Sequence, residues 1–305
     1  MKKNNIQKGI IFALCTAVIS GISIFINSYA VMTLKNPYIF TTAKNIIVGL
    51  VFVSALLLAK QWSKIKKLKI REWILLLFIG IIGGSIPFLL FFKGMSMGNV
   101  GLSAFIHKTI FVWVALLAIP LLKEKISFWH IVVFGMLVLG AFFQGNVINW
   151  TFGSGAQLIL IAVLLWSIEV IIVKKLLKNI DVEIAAAARM FFGGMIMIGY
   201  LISTNQAKFI LQNNSIQWIW IFVTSAFLLG YVTFWYSALK NAPAILVTCI
   251  LTLGLPITTI LESVFINHTF SNIKLEGFIF SVTAVLFFII FYYRPDWFYF
   301  KLKKT

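Results

Sequence analysis

Five ionisable side chains lie deep inside apolar stretches of this sequence: Lys44, His107, Lys108, Glu169 and Arg189. A charged side chain at mid-bilayer costs about 2.5–3.5 kcal/mol on insertion scales, so each needs a way to water, a partner or a ligand. Glu169 is the most constrained. Its side chain is short, and Trp166 precedes it by one turn on nearly the same helix face. A carboxylate there either braces the bundle against Lys108 or Arg189, takes up protons, or binds a cationic group beside the indole. His107 and Lys108 are adjacent in GLSAFIHKTIFVWVALLAIP (101–120), yet neighbouring residues point about 100° apart on a helix. Lys108 shares its face with Gly101, Ala104, Val112 and Ala115, small enough for another helix or a solute to approach. His107 lies along Ser103, Phe111 and Val114. It either bonds a neighbouring helix or, since imidazole titrates near neutrality, carries a proton or binds solute.

Lys44 and Arg189 occupy matching positions of an internal repeat, described below. Either Lys44 snorkels toward the nearer interface, or the two cations share a role in the interior of the bundle. Trp113, Tyr231, Trp235 and Tyr236 are candidates to line a cavity with them. In GIIGGSIP (80–87), Gly83, Gly84 and Pro87 weaken the helical ladder, as do Gly254 and Pro256 further on. Such sites either bend and move or pack tightly. Glu262 falls within a turn of a helix end and reaches the interface. Glu124 falls at another end, where it pairs with a lysine or with the amides of the fifth helix.

The elements that position these groups follow from hydropathy. Of the 305 residues 61% are hydrophobic and 11% charged, and the mean hydropathy is +1.01. A soluble domain is about half apolar and about a quarter charged, so this is an integral membrane protein. A spanning helix needs about 20 apolar residues. Ten such segments are predicted: 9–33, 38–59, 73–93, 100–121, 128–145, 156–177, 184–203, 216–238, 244–265 and 275–293. They are too long, and do not alternate enough, for barrel strands. With the N-terminus in the cytoplasm, 19 Lys and Arg fall inside and four outside, which predicts that both termini are cytoplasmic. The net charge of +18 is therefore a topology signal and implies no nucleic-acid partner. Cys15 and Cys249 lie in apolar runs and predict no disulfide. The first apolar run reads as a retained helix, not a cleaved signal. Asn-x-Ser/Thr triplets at Asn149, Asn213 and Asn267 fall in loops placed outside, where chance accounts for them. Trp297 and Tyr299 read as interfacial anchors.

The chain also repeats. AKNIIVGL (43–50) lies over ARMFFGGM (188–195), and FFKGMSMGNVGLSAFI (91–106) lies over WYSALKNAPAILVTCI (235–250). Two similar halves of five helices each must insert in opposite senses, as in many secondary transporters. The halves are 9–145 and 156–293, with basic tails at 1–8 and 294–305.

With this helix count, repeat and length, the chain resembles the drug/metabolite transporter superfamily, EamA type. LLKEKISFWHIVVFG matches the family's close of helix four, with Glu124, Ser127 and Gly135. FFKGM (91–95), WYSAL (235–239) and Trp166-Ser167 match further patterns, while FINHTF departs where the second half would repeat Glu124. The resemblance implies an all-α membrane transporter. The family's substrates include amino acids, nucleoside-like metabolites, nucleotide sugars, quaternary amines and lipid-linked sugars.

The sequence has no Walker loop, HExxH, metal-ligand cluster or nucleophile elbow. The expectation is a multi-pass secondary transporter of the inner or plasma membrane, neither an enzyme nor dependent on a metal or other cofactor. It works as a monomer or homodimer, by alternating access around a mid-bilayer site. The site candidates are Lys108, His107, Glu169 and Trp166, then Lys44, Arg189, Trp113, Tyr231 and Trp235; Glu169 and His107 are the candidates for coupling. In-helix cations outnumber buried acids, favouring an anionic or zwitterionic, amino-acid-like solute. The rivals are a lipid-carrier flippase and an exporter of organic cations through Glu169 and Trp166.

Overall fold

A computed structural model of the chain describes residues 3–98, 100–145, 153–269 and 271–293. Asn149, Trp297 and Tyr299 lie outside the described residues, as does the side chain of Asn267. Among the described residues the structure is helical. Nine helical segments are long and apolar enough to cross a membrane, and Phe128–Gln144 forms a shorter apolar helix.

The first two spans are continuous, α1 (Lys3–Leu34) and α2 (Pro37–Leu58), followed by a short basic helix α3 (Trp62–Lys66). The third span is split into α4 (Ile70–Ile82) and α5 (Ile86–Met97), the fourth into α6 (Val100–Lys108) and α7 (Ile110–Leu122), and α8 (Phe128–Gly145) is the fifth. The second half repeats the order with α9 (Ser154–Leu176), α10 (Val182–Ser203) and α11 (Ser215–Asn241). A ninth span split into α12 (Ala244–Leu251) and α13 (Gly254–Glu262), then α14 (Asn272–Tyr293), complete it. The sequence foresees the spans but not the interruption at Thr109. That interruption has a counterpart at Thr252–Leu253, at the same register of the repeat.

Packing follows the inverted repeat. The first span packs on the eighth (α1 on α11), and the third on the sixth (α5 on α9). Exchanging the two halves turns one pair into the other. The second and seventh spans (α2, α10) and the fifth and tenth (α8, α14) pair with each other across the same pseudo-dyad. Helices in lipid gain little from hydrophobic burial against one another, so close van der Waals approach holds them. Glycine supplies it. A Cβ on Gly94 would lie 2.5 Å from the Gly155 carbonyl oxygen, and one on Gly140 would lie 2.4 Å from Ser281 Oγ.

The polar ends are clasped across the halves. Asn36 caps α2, accepting from the amides of Tyr38 and Ile39 at 3.0 and 3.2 Å, and its amide donates to Gln206 Oε1 at 2.9 Å. Its repeat mate Asp181 stands before α10 and pairs with Lys64 at 2.7 Å and Lys240 at 3.6 Å. One end of the molecule thus carries a neutral clasp and the other a charged one. Glu124 is also at the charged end. Its carboxylate accepts from the amides of Ala244 and Ile245, 2.7 and 3.1 Å away. The partner is therefore the start of α12, where the free N–H groups and the helix dipole favour an anion, rather than a lysine or the fifth helix. Lys174 Nζ completes this corner by donating to the carbonyls of Leu239 and Ala242.

Candidate functional site

The third span breaks for a reason written in its sequence. In an unbroken helix the Gly83 carbonyl would accept from the N–H four residues on. That residue is Pro87, which has none. Pro87 instead falls in the first turn of α5, as its second residue, where no helical N–H is needed and its fixed φ is tolerated. The freed Gly83 oxygen accepts two side-chain bonds from the other half, from Trp166 Nε1 at 3.0 Å and Arg189 Nη2 at 3.0 Å. Glycine is required here by close approach. A Cβ at Gly83 would lie 2.6 Å from Glu169 Cγ, and one at Gly84 would lie 2.1 Å from the Arg189 carbonyl oxygen. The break therefore sits against α9 and α10 at the residues that carry charge.

Those residues form a buried triad. Arg189 Nε lies 3.6 Å from Glu169 Oε1, the same oxygen that accepts a hydrogen bond from Tyr236 Oη. The guanidinium also stands over the rings of Phe88 and Tyr236, 5.7 and 5.6 Å from their centroids. Its Nε and Nη1 have no hydrogen-bond partner among the described residues. The sequence offered Lys108 or Arg189 as the brace for Glu169; the geometry pairs it with Arg189.

Beside the triad lies a chamber lined from both halves. His107, Glu169, Trp166, Lys44, Arg189, Tyr231 and Trp235 all line it. Phe91 and Trp166 both pack edge-on to the His107 ring, each with centroids 5.5 Å away. Lys44 is 1% exposed. Its ammonium donates to Asn27 Oδ1 at 3.1 Å and stands 4.1 Å from the centre of the Phe92 ring and 4.9 Å from that of Phe40. Lys44 therefore does not reach the interface; its charge is met by an amide and two aromatic faces.

Two candidates lie elsewhere. Trp113 is outside the chamber, and its buried indole N–H has no partner among the described residues. Lys108 is 1% exposed but turns from the chamber toward α13. Its Nζ donates to Ser20 Oγ at 2.6 Å, and a Cβ on Gly254 would lie 2.8 Å from it. Gly254 and Pro256 begin α13, just past the interruption of the ninth span. The chamber also uses residues that sequence reasoning passed over: Ser20, Ser23 and Asn27 on α1, and Phe88, Phe91 and Phe92 on α5. The spacing Ser20, Ser23, Asn27 is one helical face (i, i+3, i+7), and this polar stripe was the available signal.

With fold and chamber described, comparison with known proteins is informative. A family model described as the EamA-like transporter family matches the chain twice, over residues 7–145 and 153–290. The chain belongs to the EamA-like transporter family. This EamA-like transporter is 28% identical over 243 residues to the uncharacterized transporter sll1164 of Synechocystis sp., covering 75% of this chain and 69% of that protein. Its fold is similar to that of a protein known by crystal structure, with a TM-score of 0.71 over 97% of this chain and 99% of the other at 12% identity. It is a multi-pass membrane protein, and the family and relative mark it as a transporter.

Proposed function

We propose that this EamA-like transporter moves a small organic acid or zwitterion, amino-acid-like in size and charge, through the central chamber. It does so by alternating access between the halves 9–145 and 156–293, with both termini and the charged clasp on the cytoplasmic side. The observation that carries the reading is the unequal state of the two chamber cations. Arg189 has the Glu169 carboxylate, whereas Lys44 has a neutral amide and two rings. An ammonium is seldom fully buried without a counter-charge, so the free place beside Lys44 suits the anionic group of a solute. The rings of Phe88, Phe91, Trp166, Tyr231 and Trp235 then offer an apolar wall to the rest of it. Glu169 is already engaged by Arg189 and Tyr236, which speaks against a permanently cationic cargo as its main partner.

Transport is taken to be secondary, with Glu169 and His107 as coupling sites. If uptake into proteoliposomes ignores a pH gradient and Glu169→Gln is fully active, coupling through Glu169 is wrong. The substrate class is tested by thermal-shift screening of purified protein against organic acids, zwitterions and amines, since a ligand of the native state raises its apparent stability. Acids or zwitterions should shift the wild type and lose about tenfold or more in affinity in Lys44→Met, the loss of one charge-assisted bond. Hits confined to amines, or unchanged in Lys44→Met, refute the assignment.

A further inference from the structure

Glu124 ties together two elements that belong to different halves. It follows α7, the end of the fourth span, and its carboxylate accepts from the first two amides of α12, the start of the ninth. Lys174 fixes the turn that presents those amides, through the carbonyls of Leu239 and Ala242. At this charged end α7 packs on α12, and at the Asn36 end α6 packs on α13. Spans four and nine are each interrupted between the two contacts, at Thr109 and at Thr252–Leu253. Residues at element ends absorb hinge motion, so one contact can part while the other holds. Inverted symmetry calls for a second such bond, from the residue after α13 to the start of α6. The chain lacks the group for it. Lys123 leaves α7 in the left-handed region at φ 56°, and His268 does the same after α13 at φ 50°. Lys60 and Asn205, a second left-handed pair, are separated by the same spacing, that of the repeat. The place of Glu124, one residue on, is therefore held by Thr269. A threonine has neither the charge nor the two carboxylate oxygens with which Glu124 holds its amides.

We propose that Glu124 is a one-sided latch, which holds the charged end shut between transport events while the Asn36 end, with Thr269 in the matching place, is the one that opens first. The inference rests on the alternating-access reading of the chain. Charge-assisted bonds at a helix N-terminus, with its dipole, favour the closed charged end. Glu124 does not line the central chamber, so it positions the halves and touches no solute. A solute entering from the Asn36 end must then supply, by binding the inward-open state better, the free energy that parts α7 from α12.

The test is double electron–electron resonance on the full chain in nanodiscs, with Cys15 and Cys249 replaced by alanine. Spin labels at Lys125 and Ser237 span the halves at the charged end, and labels at Ser96 and Ser271 span them at the Asn36 end. Glu124→Gln keeps the shape and removes the charge. It should raise the ratio of open to closed charged ends about tenfold, the difference between a charge-assisted and a neutral hydrogen bond. Thr269→Glu leaves Glu124 in place, and should shift the Asn36 end toward closed by a similar factor. The double variant should reverse the wild-type preference. Unchanged distances at the charged end in Glu124→Gln overturn the proposal, even with a lowered melting temperature, since Glu124 would then be a cap and no latch. An Asn36 end that ignores Thr269→Glu overturns it as well. The expected shifts in a protein that exchanges no acid or zwitterion by counterflow would uphold the latch and refute the solute reading.

Discussion

At the scale of single residues, the account turns on how each buried charge is met. Glu169 and Arg189 are both almost fully buried, at 1% and 2% exposure. Removing one member of such a pair leaves an uncompensated charge and costs about 3–5 kcal/mol, whereas replacing both with apolar groups is often neutral. Glu169→Leu alone should therefore destabilise the protein by that amount in denaturant titration, and the double variant Glu169→Leu/Arg189→Met should recover most of it. Additive losses would mean that the two groups do not act as a pair. The sequence made these residues visible because charge within an apolar run is conspicuous. It hid Ser20, Ser23 and Asn27, since hydroxyl and amide side chains cost little in a membrane helix and look ordinary. Helical arithmetic separated His107 from Lys108 but carries no information on which face meets the chamber. The structure turns His107 toward it and Lys108 toward the ninth span.

At the scale of elements, the interruptions of spans three, four and nine place the chemistry. Two of them follow from Gly83, Gly84, Pro87, Gly254 and Pro256, which are legible because proline removes an N–H and glycine a side chain. The break at Thr109 has no such residue; it becomes apparent only from its repeat mate at Thr252–Leu253. The tight fit at span three makes a sharp contrast testable. A Cβ at Gly84 or Gly193 would lie 2.1 or 2.3 Å from a backbone oxygen, while one at Gly135 meets nothing within 4 Å. Gly84→Ala and Gly193→Ala should each lower the melting temperature strongly or prevent a monodisperse preparation. Gly135→Ala should be neutral or slightly stabilising, from helix propensity alone. A well-behaved Gly84→Ala would show that the break is not packed as described.

For the whole molecule, ten spans and their inverted pairing follow from apolar runs and an odd number of helices per half, which is why the architecture was legible from sequence. The clasps that join the halves were not, because Asn36, Asp181 and Glu124 find their partners in the other half 117 to 170 residues away. The charged clasp has a defined pH range. The hydrogen bond from Lys64 holds Asp181 below its ordinary pKa of 3.8, so its contribution is full above that value and lost as pH falls through the depressed one. Asp181 raises the Lys64 pKa above 10.5, so that side persists below 10.5 and is lost as pH rises through the raised value. Exposed pairs are weak and screened by salt, so Asp181→Asn should leave global stability nearly unchanged. Spin labels at the exposed neighbours Ser63 and Asn179, which leave Lys64, Asp181 and Lys240 in place, should report the same separation from about pH 5 to 9, both partners staying charged there. A change within that interval would assign the closure of this end to other groups.

The most direct test of the central claim is counterflow. Proteoliposomes preloaded with an unlabelled acid or zwitterion found by thermal shift are diluted into its radiolabelled form, and accumulation is followed in wild type and Lys44→Met. The central chamber as described requires robust exchange by the wild type, and a loss of about tenfold or more in apparent affinity when the Lys44 ammonium is removed. Equal exchange by the two proteins would contradict it and place the solute path elsewhere.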